Sequence, residues 1–362
     1  MTALLLSFFL VFPSASRAQQ PLEARPLLKA LAIGETLWGH DDYFQLRFKR
    51  DVEGRLIGVD AGAAVRGVWA ASQKRPGEVA LTRFSPDGKQ AQAGTAALTL
   101  GKFRLWDDSG KAPLFAGADD FRLWQFGLGG RPVEMDVPEM RAEDFTPVPK
   151  EHGGPLVVAA YQYGTAGLRA FKPDGKLAWE LADLERITSV RLDFAGLRPV
   201  LAAADGTGKI SLVGLQGRVL ERFQAGGNLD RVLYDQDSEG QWLYGLDSRA
   251  GSWKESLKIF RADRGRSPGE REWREAGTHD LGNITVTAWA LGRFDDGPRK
   301  LVLGTSNGWV MILDRAGRLV TEARFRGKIV SLLSRDLDRD RKEELIVGVE
   351  GFSGNLFVFG RK

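Results

Sequence analysis

The sequence contains no cysteine and only three histidines among its 362 residues. The first absence excludes disulfides, metal thiolates and redox dithiols, so the fold must rest on its apolar core. The second leaves His40, His152 and His279 far apart, with no zinc-helix spacing and no catalytic partner at motif distance. Charge of a single sign is also missing: 51 basic and 47 acidic side chains are interleaved, for a net +4. Even the most basic stretch, RADRGRSPGEREWREA, carries four acids among its five arginines. It reads as a solvated loop, and no nucleic-acid partner is expected. No apolar run reaches bilayer-spanning length, so no membrane span is expected either.

The longest apolar run lies in the opening MTALLLSFFLVFPSASRAQQ. It covers ten residues from Ala3 to Phe12, and Pro13 breaks it. Ser16 and Ala18 then place small residues at the positions a signal peptidase inspects. The pattern predicts a secretory signal over 1–18, cut after Ala18, although no Lys or Arg precedes the run. Gln19 and Gln20 stand where a lipid anchor would need cysteine. The expected location is periplasmic or secreted, with 19–362 as one exported domain.

Glycine, by contrast, is abundant, with 44 residues spread along the chain. The segments from Ile187, Leu229, Ile284 and Ile329 can be laid over one another. Each reads as strand, polar turn, apolar strand, Gly-rich turn, apolar strand. Gly175, Gly217, Gly265, Gly317 and Gly360 recur as last-turn glycines about 40–50 residues apart, which is the propeller period. A helical solenoid would need apolar residues at helical spacing, which LVLGTSNGWVMIL does not have. The predicted fold is an all-β, single β-propeller of four-stranded blades, most simply seven, with six or eight as alternatives. The blades are placed at 36–75, 76–118, 119–181, 186–224, 229–276, 284–326 and 328–360. The proline-bearing stretch PVEMDVPEMRAEDFTPVPKEHGG is expected as a loop insertion in the third. The last copy stops one strand short, so an N-terminal strand, LLKALAIG, is expected to complete it and remove the open edge.

DLDRDRKEELIVGVEGFSGNLFVF, from Asp336, resembles the FG-GAP or VCBS-type repeat of integrin-α-like propellers, in which a D-x-D-x-D turn leads into an apolar strand. The resemblance is good over 329–360 and fair from about Pro155. In the N-terminal half, RFSPDGKQAQAG with KFRLWDDSGK resembles a WD40-type blade, with Phe84 to Gly88 in its first turn and Trp106-Asp107 ending its third strand. LRAFKPDGKLAWEL resembles a quinoprotein-type blade end in which Trp179 packs between blades.

Asp336, Asp338 and Asp340 occupy positions 1, 3 and 5 of a cation loop. Lys342 at position 7 can offer a backbone carbonyl, and Glu344 at position 9 completes the shell that the resemblance implies. Hard oxygen donors at this spacing suit a weak, structural Ca²⁺. Arg341 replaces the glycine that eases position 6, and Arg339, Arg341 and Lys342 weaken cation attraction, so a solvated acidic turn is an equal alternative. DQDSEG, with Asp235, Asp237 and Glu239, is a partial copy.

Other motifs dissolve into repeat turns. GTSNG around Ser306 formally matches a serine-hydrolase elbow but is followed by a strand, and ADGTGKIS lacks the phosphate-loop spacing. The ten tryptophans fall at blade-packing positions, with a sugar platform as the alternative. No catalytic set emerges. The expected function is an exported, non-catalytic scaffold for a protein or polysaccharide partner. The alternative is a propeller enzyme, such as a quinoprotein-type dehydrogenase, lactonase or lyase, working in the central funnel.

Overall fold

Apolar runs of five to seven residues, each closed by a glycine-bearing turn, fold as antiparallel meanders. A computed structural model describes residues 37–38 and 43–361, apart from the short segments 63–65, 108–111, 120–121, 136–141, 149, 151–155, 163–166, 185, 194–198, 238, 249–254, 264–270 and 351–353. Seven sheets result, each with a core of four strands, and in six of them these run in sequence order from the ring axis outward. Blades one to six cover 55–96, 102–134, 142–181, 187–224, 229–280 and 286–324. Blade seven takes its three inner strands from Ile329–Arg335, Glu344–Val349 and Gly354–Arg361, and its outer strand from Phe44–Val52.

The innermost strands are Arg55–Ala61, Lys102–Asp107, Ala142–Val148, Ile187–Asp193, Leu229–Gln236, Val286–Gly292 and Ile329–Arg335. They touch one another in cyclic order, the seventh against the first, so the ring is closed. The second strands are largely buried; Glu344–Val349 is buried along its whole length. Apolar residues cluster at each of the seven interfaces between neighbouring blades. Burial of this area between sheets is the main stabilising term, at about 25 cal/mol per Å².

The last turns of four blades share one geometry: Ser85–Lys89, Lys172–Lys176, Gly214–Arg218 and Asp314–Arg318. In each, the first residue and the fifth close the hairpin, and the fourth is a glycine with φ between 76° and 83°. That left-handed conformation suits glycine. The same glycines face the outer strand of the preceding blade. A Cβ on Gly88 would lie 2.6 Å from Phe48, and one on Gly217 would lie 2.7 Å from Trp179. Trp179 Nε1 also donates to Leu215 O at 2.9 Å, so this residue does pack between blades.

Closure by an N-terminal strand is observed, but the strand differs from the expected one. Residues 27–34 lie outside the described residues, and the fourth position of blade seven is filled by Phe44–Val52, paired from Phe44↔Arg361 to Val52↔Gly354. Its alternation of buried Phe44, Phe48 and Val52 with polar residues fits a strand with one face to solvent. Just before it, Leu37–Trp38 adds a fifth strand to blade six through Leu37↔Arg324 and Trp38↔Ala323.

The N-terminal blade frame therefore shifts. Phe84 to Gly88 leads through the last turn of blade one, and Trp106-Asp107 ends the innermost strand of blade two. The stretch expected as a loop insertion instead holds the outer strand Val133–Glu134 and the innermost strand Ala142–Val148. Pro147 is tolerated there because an innermost strand is paired on one side only. Gly360 lies in a strand, not a last turn.

Candidate functional site: a charged channel and an acidic loop face

All seven innermost strands carry a bulge or shift in register, and six place it near their start. The side chains released there line a central channel of about 440 Å³. Some of them stitch the ring together. Ser331 Oγ accepts from Val59 N and donates to Val59 O, both at 3.2 Å, across the seam between blades seven and one. Thr188 Oγ1 donates to Ala204 O and Leu229 O, and Thr287 Oγ1 to Gly304 O and Ile329 O. Asp144 accepts from Val190 N at 3.2 Å and from Arg191 at 2.7 and 2.8 Å. Asp60 accepts from Leu105 N at 3.0 Å. The channel hydroxyls are thus engaged with backbone, and no hydroxyl–imidazole pair occurs among the described residues.

Charged residues converge in the same space: Lys102, Arg104, Arg191, Arg231 and Lys328 against Glu143, Asp144 and Asp230. A second cavity of about 390 Å³ forms the mouth where the innermost strands begin, with Arg55 and Glu350 added to its lining. At the opposite end Arg299 reaches from blade six to Asp193 of blade four at 2.9 Å and Asp235 of blade five at 3.2 Å.

The loops joining first and second strands lie at that opposite end, and three of them hold acids around a cation. In blade five, Arg315 contacts Asp235 at 3.0 Å, Asp237, and Glu239 at 3.3 Å. In blade six, Lys300 lies 2.6 Å from Asp295. In blade seven, Arg47 contacts Asp338 at 2.5 Å and Glu344 at 2.9 Å. Arg47 is the residue skipped at the bulge of the closing strand, which turns its side chain onto this loop.

The structure brings Asp336, Asp338 and Asp340 together, with one carboxylate oxygen from each within 4.8 Å of the others. Their other contacts are local: Asp336 accepts from Arg339 N at 2.5 Å and Arg341 N at 3.0 Å, and Asp340 from Lys342 N at 2.7 Å. Arg339 and Arg341 adopt φ of 69° and 71°, the left-handed turn that a glycine would ease, at about 1–2 kcal/mol each. Glu344 stands apart from the three aspartates. It is buried, accepts from Leu337 N at 2.7 Å and pairs with Arg47. Burial, with the charges of Asp338 and Asp340, pushes its carboxyl up to about 7 against the pull of Leu337 N and Arg47. Burial is the largest influence on Asp338 and opposes its charge, but the hydrogen bond and charge of Arg47 together with the hydrogen bonds from Asp340 hold that carboxyl below its ordinary value. The three aspartates are a donor set suited to a hard cation; Glu344 is committed to the guanidinium.

The other singled-out residues have structural places. Ser306 sits in the hairpin between Lys300–Thr305 and Trp309–Leu313, its N–H bonded to Thr285 O. His279 lies on the outer strand Arg274–Asp280 against Gly317, and His40 and His152 lie outside the described residues. Trp69, Trp106, Trp242 and Trp289 are buried. The channel arginines and Arg47 escaped sequence reasoning, since they lie on separate strands far apart in the chain and belong to no motif. The described residues include no helix long and apolar enough to cross a membrane.

No family model matches the chain, and no curated protein is similar to it in sequence. Solved structures share its fold. BBS1N, in crystals of its complex with ARL6DN soaked with lead, superposes with a TM-score of 0.59 at 12% identity, over 89% of this chain and 97% of the other. The same complex soaked with mercury gives 0.58 at 11% identity, with the same coverage. At this identity the likeness is one of fold, and the chain is a seven-bladed β-propeller.

Proposed function

We propose that the protein is an exported, non-catalytic propeller that binds a protein partner on its outer rim, in the periplasm or outside the cell. One observation carries this. The four exposed large apolar side chains among the described residues, Leu46, Val133, Leu177 and Leu220, all lie on outermost strands, three of them on successive blades. Exposed apolar groups on a rigid rim suit association. The BBS1N propeller in its complex with ARL6DN is a precedent for the fold in a protein complex. A polysaccharide partner is the less favoured form of the same proposal, since Trp69, Trp106, Trp242 and Trp289 are buried and Trp179 and Trp273 are engaged with neighbouring blades. The DLDRDRKEE loop keeps its FG-GAP-type character in this proposal, with one weak structural Ca²⁺ on Asp336, Asp338 and Asp340 and the carbonyl of Lys342.

Affinity capture from envelope extract, with Leu177→Asp plus Leu220→Asp as control, tests the rim. The wild type is expected to retain a protein that the variant loses; equal capture by both overturns it. Mass spectrometry of the envelope-fraction protein is expected to find Gln19 at the N-terminus, and an intact Met1 would refute export.

A second reading, an enzyme working in the channel, is favoured by the convergence of Asp144 and Asp230 with three arginines.

A further inference from the structure

Arginines in this protein fall into two groups. Arg47, Arg299 and Arg315 sit among carboxylates that outweigh the cost of burial and hold their pKa above the ordinary value. In the channel the balance is reversed. Burial, then the charge of neighbouring Arg191, depresses the pKa of Arg104 despite Asp60 and Asp144. Arg231 is depressed by burial and by Arg191, against the pull of Glu255.

The contacts explain the difference. Asp144 is spent on Arg191 and the backbone. Arg231 donates to a neutral acceptor, Val286 O. Asp230 accepts from Ser248 Oγ. Arg104 has a single long hydrogen bond, 3.5 Å to Phe103 O on its own strand. A guanidinium stays charged at any physiological pH, so the cost cannot be relieved by losing a proton. Arg104 and Arg231 thus stand partly desolvated beside Arg191 with no carboxylate in direct contact among the described residues, whereas the acidic loop face pairs its cations with carboxylates three times.

We propose that the channel is a binding site for a small oxyanion, a phosphate monoester or a di- or tricarboxylate, held chiefly by Arg104 with Arg191 and Arg231. The cavity is within the roughly 300–1,000 Å³ typical of small-ligand sites. The guanidinium fork matches carboxylate and phosphate oxygens in pairs. Lys328 and Arg55, both exposed at the mouth, favour anion entry. The site is independent of the rim, so either proposal can fail alone.

The test is calorimetric titration and thermal unfolding of the full chain with sodium phosphate and, separately, sodium citrate, at ionic strength fixed with sodium chloride. A saturable binding heat and a saturable rise in Tm are expected with at least one anion. The anion that works separates phosphate from carboxylate chemistry. Arg104→Gln is expected to weaken binding at least tenfold while raising the Tm of the anion-free protein, because a repulsion is removed. Lys328→Gln, at an exposed position that folding does not depend on, is expected to weaken binding two- to threefold. General salting effects raise Tm without saturation and equally in all variants. If neither anion saturates, or if Arg104→Gln and Lys328→Gln both bind like wild type, the proposal is overturned.

Discussion

Arg47 Nη2 lies 2.9 Å from Glu344 Oε1, joining the closing strand to an acidic loop almost three hundred residues later in the chain. Glu344 is nearly inaccessible, whereas Arg47 and Asp338 keep about a third of their side-chain surface in water. Breaking a buried pair by removing one partner is costly because the other charge remains. Above pH 8, where the Glu344 carboxyl is ionised, Arg47→Met is therefore expected to lower stability by about 2–3 kcal/mol, the full buried-pair cost being reduced by solvent screening. Urea unfolding of wild type and variant measures it; a difference below about 0.5 kcal/mol would reduce the pair to a surface contact.

The pH dependence follows from Glu344. Its carboxyl rises from 4.5 in the unfolded chain to about 7 in the folded protein. Between those values the folded protein binds more protons, so this contribution to stability is complete at low pH and lost as pH rises toward 7. The wild type is expected to lose on the order of 2–3 kcal/mol over that interval relative to Glu344→Gln. Urea midpoints at both pH values, compared between the two proteins, isolate the effect.

Calcium addresses the neighbouring aspartates. Millimolar Ca²⁺ is expected to raise Tm by a degree or two, and Asp336→Ala plus Asp338→Ala to abolish the response. Arg47→Met should increase it, since Asp338 and Glu344 would then lack their cation. A response unchanged by the double substitution would remove the aspartates from the site.

Deleting residues 1–52 would leave Gly354–Arg361 as an unpaired edge. The truncated protein is expected to aggregate and to melt at lower temperature. Light scattering and calorimetry check both; a monomer with unchanged Tm would show that closure contributes nothing.

Much of the ring was legible in the sequence because its last turns repeat the same chemistry and its middle strands are short apolar runs. The N-terminal frame was not, because a turn such as Ser85–Lys89 looks alike whichever strands it joins. The distinguishing signal was the strand that follows: Gln90–Ala96 is polar and largely exposed, as only an outermost strand can be. The same rule would have favoured FQLRFKRDV over LLKALAIG as the closing strand. The spacing of Asp336, Asp338 and Asp340 was plain, but not the arrival of Arg47, which depends on a bulge in a distant strand. The channel was illegible for a similar reason. Arg104, Arg191 and Arg231 are single residues in separate blades, and only the ring turns them toward one axis.

Closure by Phe44–Val52 also fixes an order of events. This strand is synthesised about 300 residues before its partner Gly354–Arg361, roughly 15–60 s at ordinary translation rates. Until Gly354–Arg361 emerges, blade seven has no sheet for the waiting strand to join, and the ring cannot lock. The joint that completes the molecule forms last, from the two extremities of the described chain. A nascent chain held open in this way leaves Phe44, Phe48 and Val52 uncovered throughout synthesis, and a holdase that covers them would set the moment of folding.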